Sequence, residues 1–297
     1  MGVQENRTGE RALARPGRIT LLWEQIFASK SALAGFIIVM FFLALVVFGQ
    51  FIYGYSPTRM NIPQALKPPS LSHPFGTDSL GRDVFTRILF GARISMLISI
   101  CGVLSAALIG IGFGLISGYY GGWIDDILMR ICDFLFAFPS YVLALLLMVA
   151  LGFGITNVMF AICLVYIPIF ARLMRGLTQS IKSEQFVEAN ITLGMNDFKV
   201  MFIEILPNGI GPIIVQATIG MAYAVILEAA LSFLGLGVQP PSPSLGTVLA
   251  DGKEYLRMAP WIVGMSGAVI SVMLLGFNLL GDGIRDYMDP KLARQIR

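Results

Sequence analysis

Long uncharged runs alternate with short polar interruptions along the chain, and the run lengths predict membrane-spanning helices. Such a helix takes about 20 mostly apolar residues. Ser31–Thr58 carries no charge, and its apolar part, residues 32–53, is the first expected span. Ile94–Ile124 is uncharged and predicts a second span from near Ile88 to the turn Ser117-Gly118-Tyr119-Tyr120-Gly121-Gly122. Phe134–Ala171 holds enough uncharged residues for two spans, broken at Gly152-Phe-Gly-Ile-Thr-Asn157. These are expected at residues 127–151 and 156–177, the first kinked near Phe138-Pro139. Ile205–Leu227 and Met258–Gly281 make the fifth and sixth. Between them, Ser232–Gly246 is rich in proline and glycine, so it reads as a loop or a re-entrant segment packed on protein.

The longest polar interruption in the second half, Ser183 to Pro207, reads as an elbow of two short helices. Ser183 is placed to cap the first, with Glu184 and Gln185 in its opening turn. Gly194 is placed to end it in the left-handed conformation. Asn196 can cap the second helix, with Asp197 in its first turn. Phe198, Met201, Phe202 and Ile205 follow at the spacing of one apolar face, and Pro207 stops that helix or starts the next.

Composition narrows the class. The chain has 297 residues, 56% hydrophobic and 13% charged, with a mean hydropathy of +0.76, whereas a soluble domain carries about 25% charge. It reads as an all-α integral membrane protein. The net charge of +3 gives no reason to invoke nucleic acid. Cys101, Cys132 and Cys163 lie in or beside apolar segments and predict neither a disulfide nor a metal cluster. His73, the one histidine, cannot build a metal site alone. No cleavable signal is evident, because the first apolar run begins late and is too long.

Charge also orients the spans. With six helices both termini lie on one side, and that side holds 14 of the 21 Lys and Arg. The positive-inside bias places the termini and the elbow in the cytoplasm. The expected organisation is a cytoplasmic tail over 1–30, the first helix over 31–54 and an extracytoplasmic loop over 55–86. A five-helix core over 87–285 contains the coupling segment 183–207, and a cytoplasmic tail covers 286–297. The stretch Ile19 to Phe27 is amphipathic enough to lie on the membrane surface.

No residue pattern supplies chemistry. Gly246 to Glu254 is similar to a phosphate-binding loop, but it has the wrong glycine spacing and a glutamate where magnesium needs a hydroxyl. No nucleophile elbow, zinc-binding helix or catalytic carboxylate pair is present. ATP, if it powers the protein, binds another chain. Asp133 and Glu228 are ionisable groups within spans and are therefore candidates for a translocation path. Each also has a structural reading: Asp133 pairing with Arg130 one turn away, Glu228 capping the proline-rich loop.

The elbow carries a resemblance. Glu188-Ala189-Asn190, with Gly194 four residues after Asn190 and Leu206-Pro207 about a dozen residues later, resembles the EAA loop of bacterial ABC importer permeases. Asn190 stands where that pattern has a second alanine. His73-Pro-Phe-Gly-Thr-Asp78-Ser-Leu-Gly-Arg82-Asp83, Gly91-Ala-Arg93-Ile-Ser95, Gly118-Tyr-Tyr-Gly-Gly122, Phe136-Ala-Phe-Pro139, Leu231 to Pro241 and Phe277 to Gly283 resemble the dipeptide/oligopeptide/nickel branch, and within it the C-type member of the permease pair.

The resemblance implies six transmembrane helices in a type I importer permease architecture with cytoplasmic EAA coupling helices. It implies a chain that is not an enzyme. Its expected partners are a second homologous permease, two cytosolic ATPase subunits that hold ATP and magnesium, and an extracytoplasmic binding protein. Glu188, Ala189 and Gly194 then fall at the ATPase contact, with Glu184, Asn196, Asp197 and Phe198 added by position. Peptides are the expected cargo, with nickel complexes, glutathione and oligosaccharides also found in the branch. A secondary transporter not driven by ATP and a purely structural membrane subunit are the competing readings.

Overall fold

The computed structural model describes residues 30–52 and 56–288. The amphipathic stretch expected at Ile19 to Phe27 and the end of the C-terminal tail lie outside the described residues. Among these, regular structure is helical apart from one isolated bridge between Thr77 and Asp83. Chain order runs α1 (Lys30–Ile52), α2 (Val84–Tyr120), α3 (Gly122–Phe136), α4 (Ser140–Leu151) and α5 (Ile155–Lys182). It continues with α6 (Gln185–Thr192), α7 (Asp197–Phe233), α8 (Leu245–Lys253) and α9 (Pro260–Met288).

By length and composition α1, α2, α5, α7 and α9 can each cross a membrane. The kinked third span expected over 127–151 is instead two helices, α3 and α4, meeting at 89°. Pro139 is the cause. It sits in extended conformation ahead of α4, it lacks a donor, and it disfavours helical backbone at the residue before it. The 12 residues of α4 reach only about 18 Å, so this pair crosses a bilayer only as a unit. The expected break before α5 is confirmed: Gly152 and Gly154 take positive φ, and the Asn157 amide donates to the carbonyls of Leu151 and Gly152.

The segment ahead of α2 is a structured loop, as expected. Asp83 caps α2 by accepting from the Thr86 amide at 2.8 Å and the Thr86 hydroxyl at 2.7 Å. Its other oxygen meets Nδ1 of His73 at 2.8 Å, and Nε2 of that ring meets Gln64 at 2.9 Å. Buried Asp78 pairs with Arg82 at 2.6 Å and Arg87 at 2.7 Å, and both arginines reach Asp251 in α8. Two carboxylates and two guanidiniums thus pin the loop to α8 with no net charge left over, the condition under which buried ions are tolerated.

Helix α2 is central. Along one stripe, Gly102, Gly110, Gly114 and Gly118 press against α5. A Cβ on Gly110 would lie 2.6 Å from Cβ of Phe170, and one on Gly114 would meet the Ala171 carbonyl. Small residues let two helix backbones approach this closely, and packing then substitutes for the hydrophobic drive that lipid removes. The core divides into two groups of buried residues. One joins α2, α4, α5 and α7 around Ile162, Phe170 and Met174. The other joins α1, the start of α2, α8 and α9 around Met96, Leu245, Ile262 and Phe277.

Candidate functional site

The elbow is built from two capped turns. Ser183 does not start α6: its hydroxyl turns back to the Ser180 carbonyl at 2.8 Å and closes α5. Glu184 occupies the N-cap position instead. At the other end, the Gly194 amide donates to the Ile191 carbonyl at 2.9 Å and the Met195 amide to the Asn190 carbonyl at 3.0 Å. That pair of bonds is the Schellman termination, with Gly194 at φ +83°. The glycine's placement is as the spacing predicts. Asn196 then caps α7, accepting from the Phe198 amide at 2.8 Å.

The second elbow helix is not a separate element. It runs without interruption into the fifth span, passing through a π-helical stretch at Val200–Ile205. The π-turn accommodates Pro207, which has no donor for the regular ladder, and the Asn208 side chain donates to the Glu204 carbonyl at 2.6 Å. The wider turn also splits the single apolar face expected for Phe198, Met201, Phe202 and Ile205. Met201 and Ile205 are buried, while Phe198 and Phe202 are exposed and stack with centroids 4.4 Å apart.

The elbow therefore exposes large apolar side chains. Leu193 is 84% exposed and Phe198 62%, accompanied by Phe186, Phe202 and Ile203. Glu184, Glu188 and Asp197 are exposed in the same segment. Ala189 and Gly194 are exposed between them. Val187 points inward and is fully buried, anchoring α6. The sequence pattern gave no reason to single out Leu193 or Phe186, since an apolar residue at a helix end reads as core until its direction is known.

Sequence reasoning also missed the contacts beneath the elbow. Tyr119, at the end of α2, is buried and donates its hydroxyl to Asp197 at 2.7 Å. Lys182, in the last turn of α5, donates to the Tyr119 carbonyl at 2.6 Å and holds its ammonium 4.5 Å from the ring centroid. The Gly-Tyr-Tyr-Gly-Gly run reads as a turn, and only its position beside α7 gives Tyr119 a partner.

The two membrane carboxylates go different ways. Asp133 is paired, but with Arg172 of α5 at 2.6 Å rather than with Arg130. Both partners are at least half exposed, and the Arg172 guanidinium stacks 4.3 Å from the Phe136 ring. Glu228 is wholly buried and accepts from Ser95 at 2.6 Å and Ser232 at 2.7 Å. Ser95 accepts from the Leu245 amide and Ser232 from the Val238 amide. Glu228 thus braces the proline-rich loop from below, the structural reading of that residue.

The family is shown by sequence relatives. Residues 110–294 match the family described as binding-protein-dependent transport system inner membrane component, and residues 18–69 match the N-terminal TM domain of oligopeptide transport permease C. The dipeptide transport system permease protein DppC of Alkalihalophilus pseudofirmus is 43% identical, covering 91% of this chain and 89% of its own. The glutathione transport system permease protein GsiD of Pectobacterium atrosepticum is 40% identical, covering 91% and 90%. A chain of the MetNI methionine ABC transporter, solved in inward-facing conformations, shares the fold at a TM-score of 0.54 and 16% identity, covering 67% of this chain and 95% of that one. A family match across most of the chain, and relatives at this identity over nine-tenths of it, show that the chain belongs to the binding-protein-dependent transport system inner membrane component family, as a multi-pass membrane permease.

Proposed function

We propose that this chain is one of two homologous permease subunits of an ATP-driven importer for dipeptides or similarly small peptides. Two cytosolic ATPases, which bind ATP and magnesium, dock on the elbow, and an extracytoplasmic binding protein delivers cargo to the loops at the opposite face. Both termini and the elbow face the cytoplasm, in keeping with the excess of Lys and Arg on that side. The observation that carries the reading is that the elbow exposes large apolar side chains together with Glu184, Glu188 and Asp197, on helices whose ends are fixed by caps. Such a surface is suited to a groove in a partner, with apolar anchors at the centre and charges at the edge. The cargo class is supported by the names of the relatives, for dipeptides in one case and glutathione in another.

The chemistry this chain contributes is mechanical. Glu184, Glu188, Ala189, Gly194, Asn196, Asp197 and Phe198 form or shape the docking surface. Closure of the ATPases displaces that surface, and the continuous helix α7 carries the displacement into the membrane, where rigid-body motion changes access. Asp133 with Arg172 is the exposed charge pair available to a polar path. Reconstitution with both permeases, both ATPases and the binding protein in proteoliposomes tests the reading. Uptake of labelled dipeptide is expected to require ATP and the binding protein and to survive an uncoupler. Uptake that persists without ATP and collapses with the uncoupler would overturn it in favour of a secondary transporter.

A further inference from the structure

Besides the direct join of α5 to α6 through Ser183 and Glu184, two connections lead out of the elbow, and only one of these follows the chain. The first is the covalent run of α7 into the membrane. The second passes through Tyr119. Its hydroxyl holds Asp197 in the first turn of α7, and its carbonyl and ring hold Lys182 at the end of α5. One side chain therefore joins the ends of α2 and α5 to the start of α7. Helix α6 follows α5 directly but offers no substitute toward α2, because an open cleft of about 560 Å³, lined by Gly118, Lys182, Glu188 and Ile191, lies between it and the end of α2.

Behind Tyr119, α2 and α5 behave as one body. The glycine stripe brings their backbones together from Gly102 to Gly118, with no room for a Cβ at Gly110 or Gly114. A displacement applied at Tyr119 must move both helices. At the far end α2 is bonded to α7 again, through Ser95 and Glu228. We infer that the Tyr119–Asp197 hydrogen bond is a coupling latch: it transfers elbow movement to the α2–α5 pair, so that the pair and α7 move together. Tyr119 is a positioning residue, acting through Asp197 and Lys182. The inference rests on the importer reading and deepens it.

Tyr119→Phe removes the hydroxyl and keeps the buried ring and its contact with Lys182. In the reconstituted complex, ATP hydrolysis is expected to continue while dipeptide uptake per ATP falls about ten-fold, the scale of one hydrogen bond to a charged acceptor. Asp197→Ala is expected to lower the same ratio, and the double variant to be no worse than the more impaired single variant, because both lose one bond. Tyr120→Phe, at the exposed neighbouring tyrosine, should leave the ratio as it was. A merely structural defect would reduce hydrolysis and uptake in parallel and keep their ratio. An unchanged ratio in Tyr119→Phe, or losses that add in the double variant, would sink the latch while an active unmodified complex left the importer standing. No ATP-dependent uptake by the unmodified complex would sink both.

Discussion

Ser95 and Glu228 are 133 residues apart in the chain and 2.6 Å apart in space, the serine hydroxyl donating to the carboxylate. The bond ties α2 to α7 where the proline-rich loop leaves the bundle. Ser95 and Ser232 each use the same hydroxyl oxygen to accept a backbone amide from beyond that loop's start, at Leu245 and Val238. Glu228→Ala is expected to destabilise the purified subunit by about 3 kcal/mol, because buried hydroxyls lose their acceptor and a cavity opens. Glu228→Gln keeps an acceptor oxygen and should cost about half as much. Thermal unfolding in detergent checks both; equal stability for the alanine variant and the unmodified protein would remove the bracing role.

Gly194 shows a different kind of constraint. A Cβ there would meet nothing within 4 Å, so space is not limiting, but φ is +83°. Gly194→Val should therefore strain the termination of α6 by about 1–2 kcal/mol, while Gly194→Asn, which tolerates that conformation, should be close to neutral. The expected readout is uncoupling: uptake per ATP drops in the valine variant and recovers in the asparagine one. Normal transport with valine would show that the turn has no part in coupling.

The exposed elbow surface separates docking from folding. Leu193→Asp and Phe198→Asp change largely exposed side chains, the second stacked on outward-facing Phe202. Expression and melting temperature should stay as they are, whereas co-purification of the ATPase subunits should fall at least about ten-fold, as for the loss of a central anchor. ATPases retained at full stoichiometry would place the docking surface elsewhere.

Thr178 offers a stabilising change. Its Cβ and Cγ2 pack against Gly118, and its buried hydroxyl oxygen has no hydrogen-bond partner among the described residues. Thr178→Val keeps the shape and removes the unsatisfied group, so a gain of about 1 kcal/mol is expected in thermal unfolding. A loss instead would mean that the hydroxyl has a partner after all.

Run lengths and caps made much of this architecture legible. Uncharged stretches located five of the helices long enough to cross a membrane, and Gly194 and Asn196 carried their own capping chemistry. Pro139 announced a distortion, but not its size, because a proline inside an apolar run can bend a helix or divide it, and neighbouring packing decides. The π-turn was hidden for a related reason. Periodicity assumes a constant twist, so Phe198 and Ile205 looked like one face until the turn at Val200–Ile205 rotated them apart. Tyr119 was illegible because its partner Asp197 lies 78 residues away. Arg172 was likewise hidden from Asp133, which had a nearer arginine on its own helix.

The π-turn has a further consequence for how the docking surface can be changed. Upstream of it lie only the few residues that carry Asn196, Asp197 and Phe198; downstream lies the membrane helix. Removing one residue within Val200–Ile205 would return the helix to ordinary pitch without breaking it, and would leave those side chains at nearly the same angle around the axis, because the π-turn spreads one extra residue over about one turn. The membrane helix would keep its packing and its handle would keep its direction. A one-residue length change here is taken up as pitch, so the azimuth at which an engine grips this subunit is buffered against insertion and deletion in the bundle it drives.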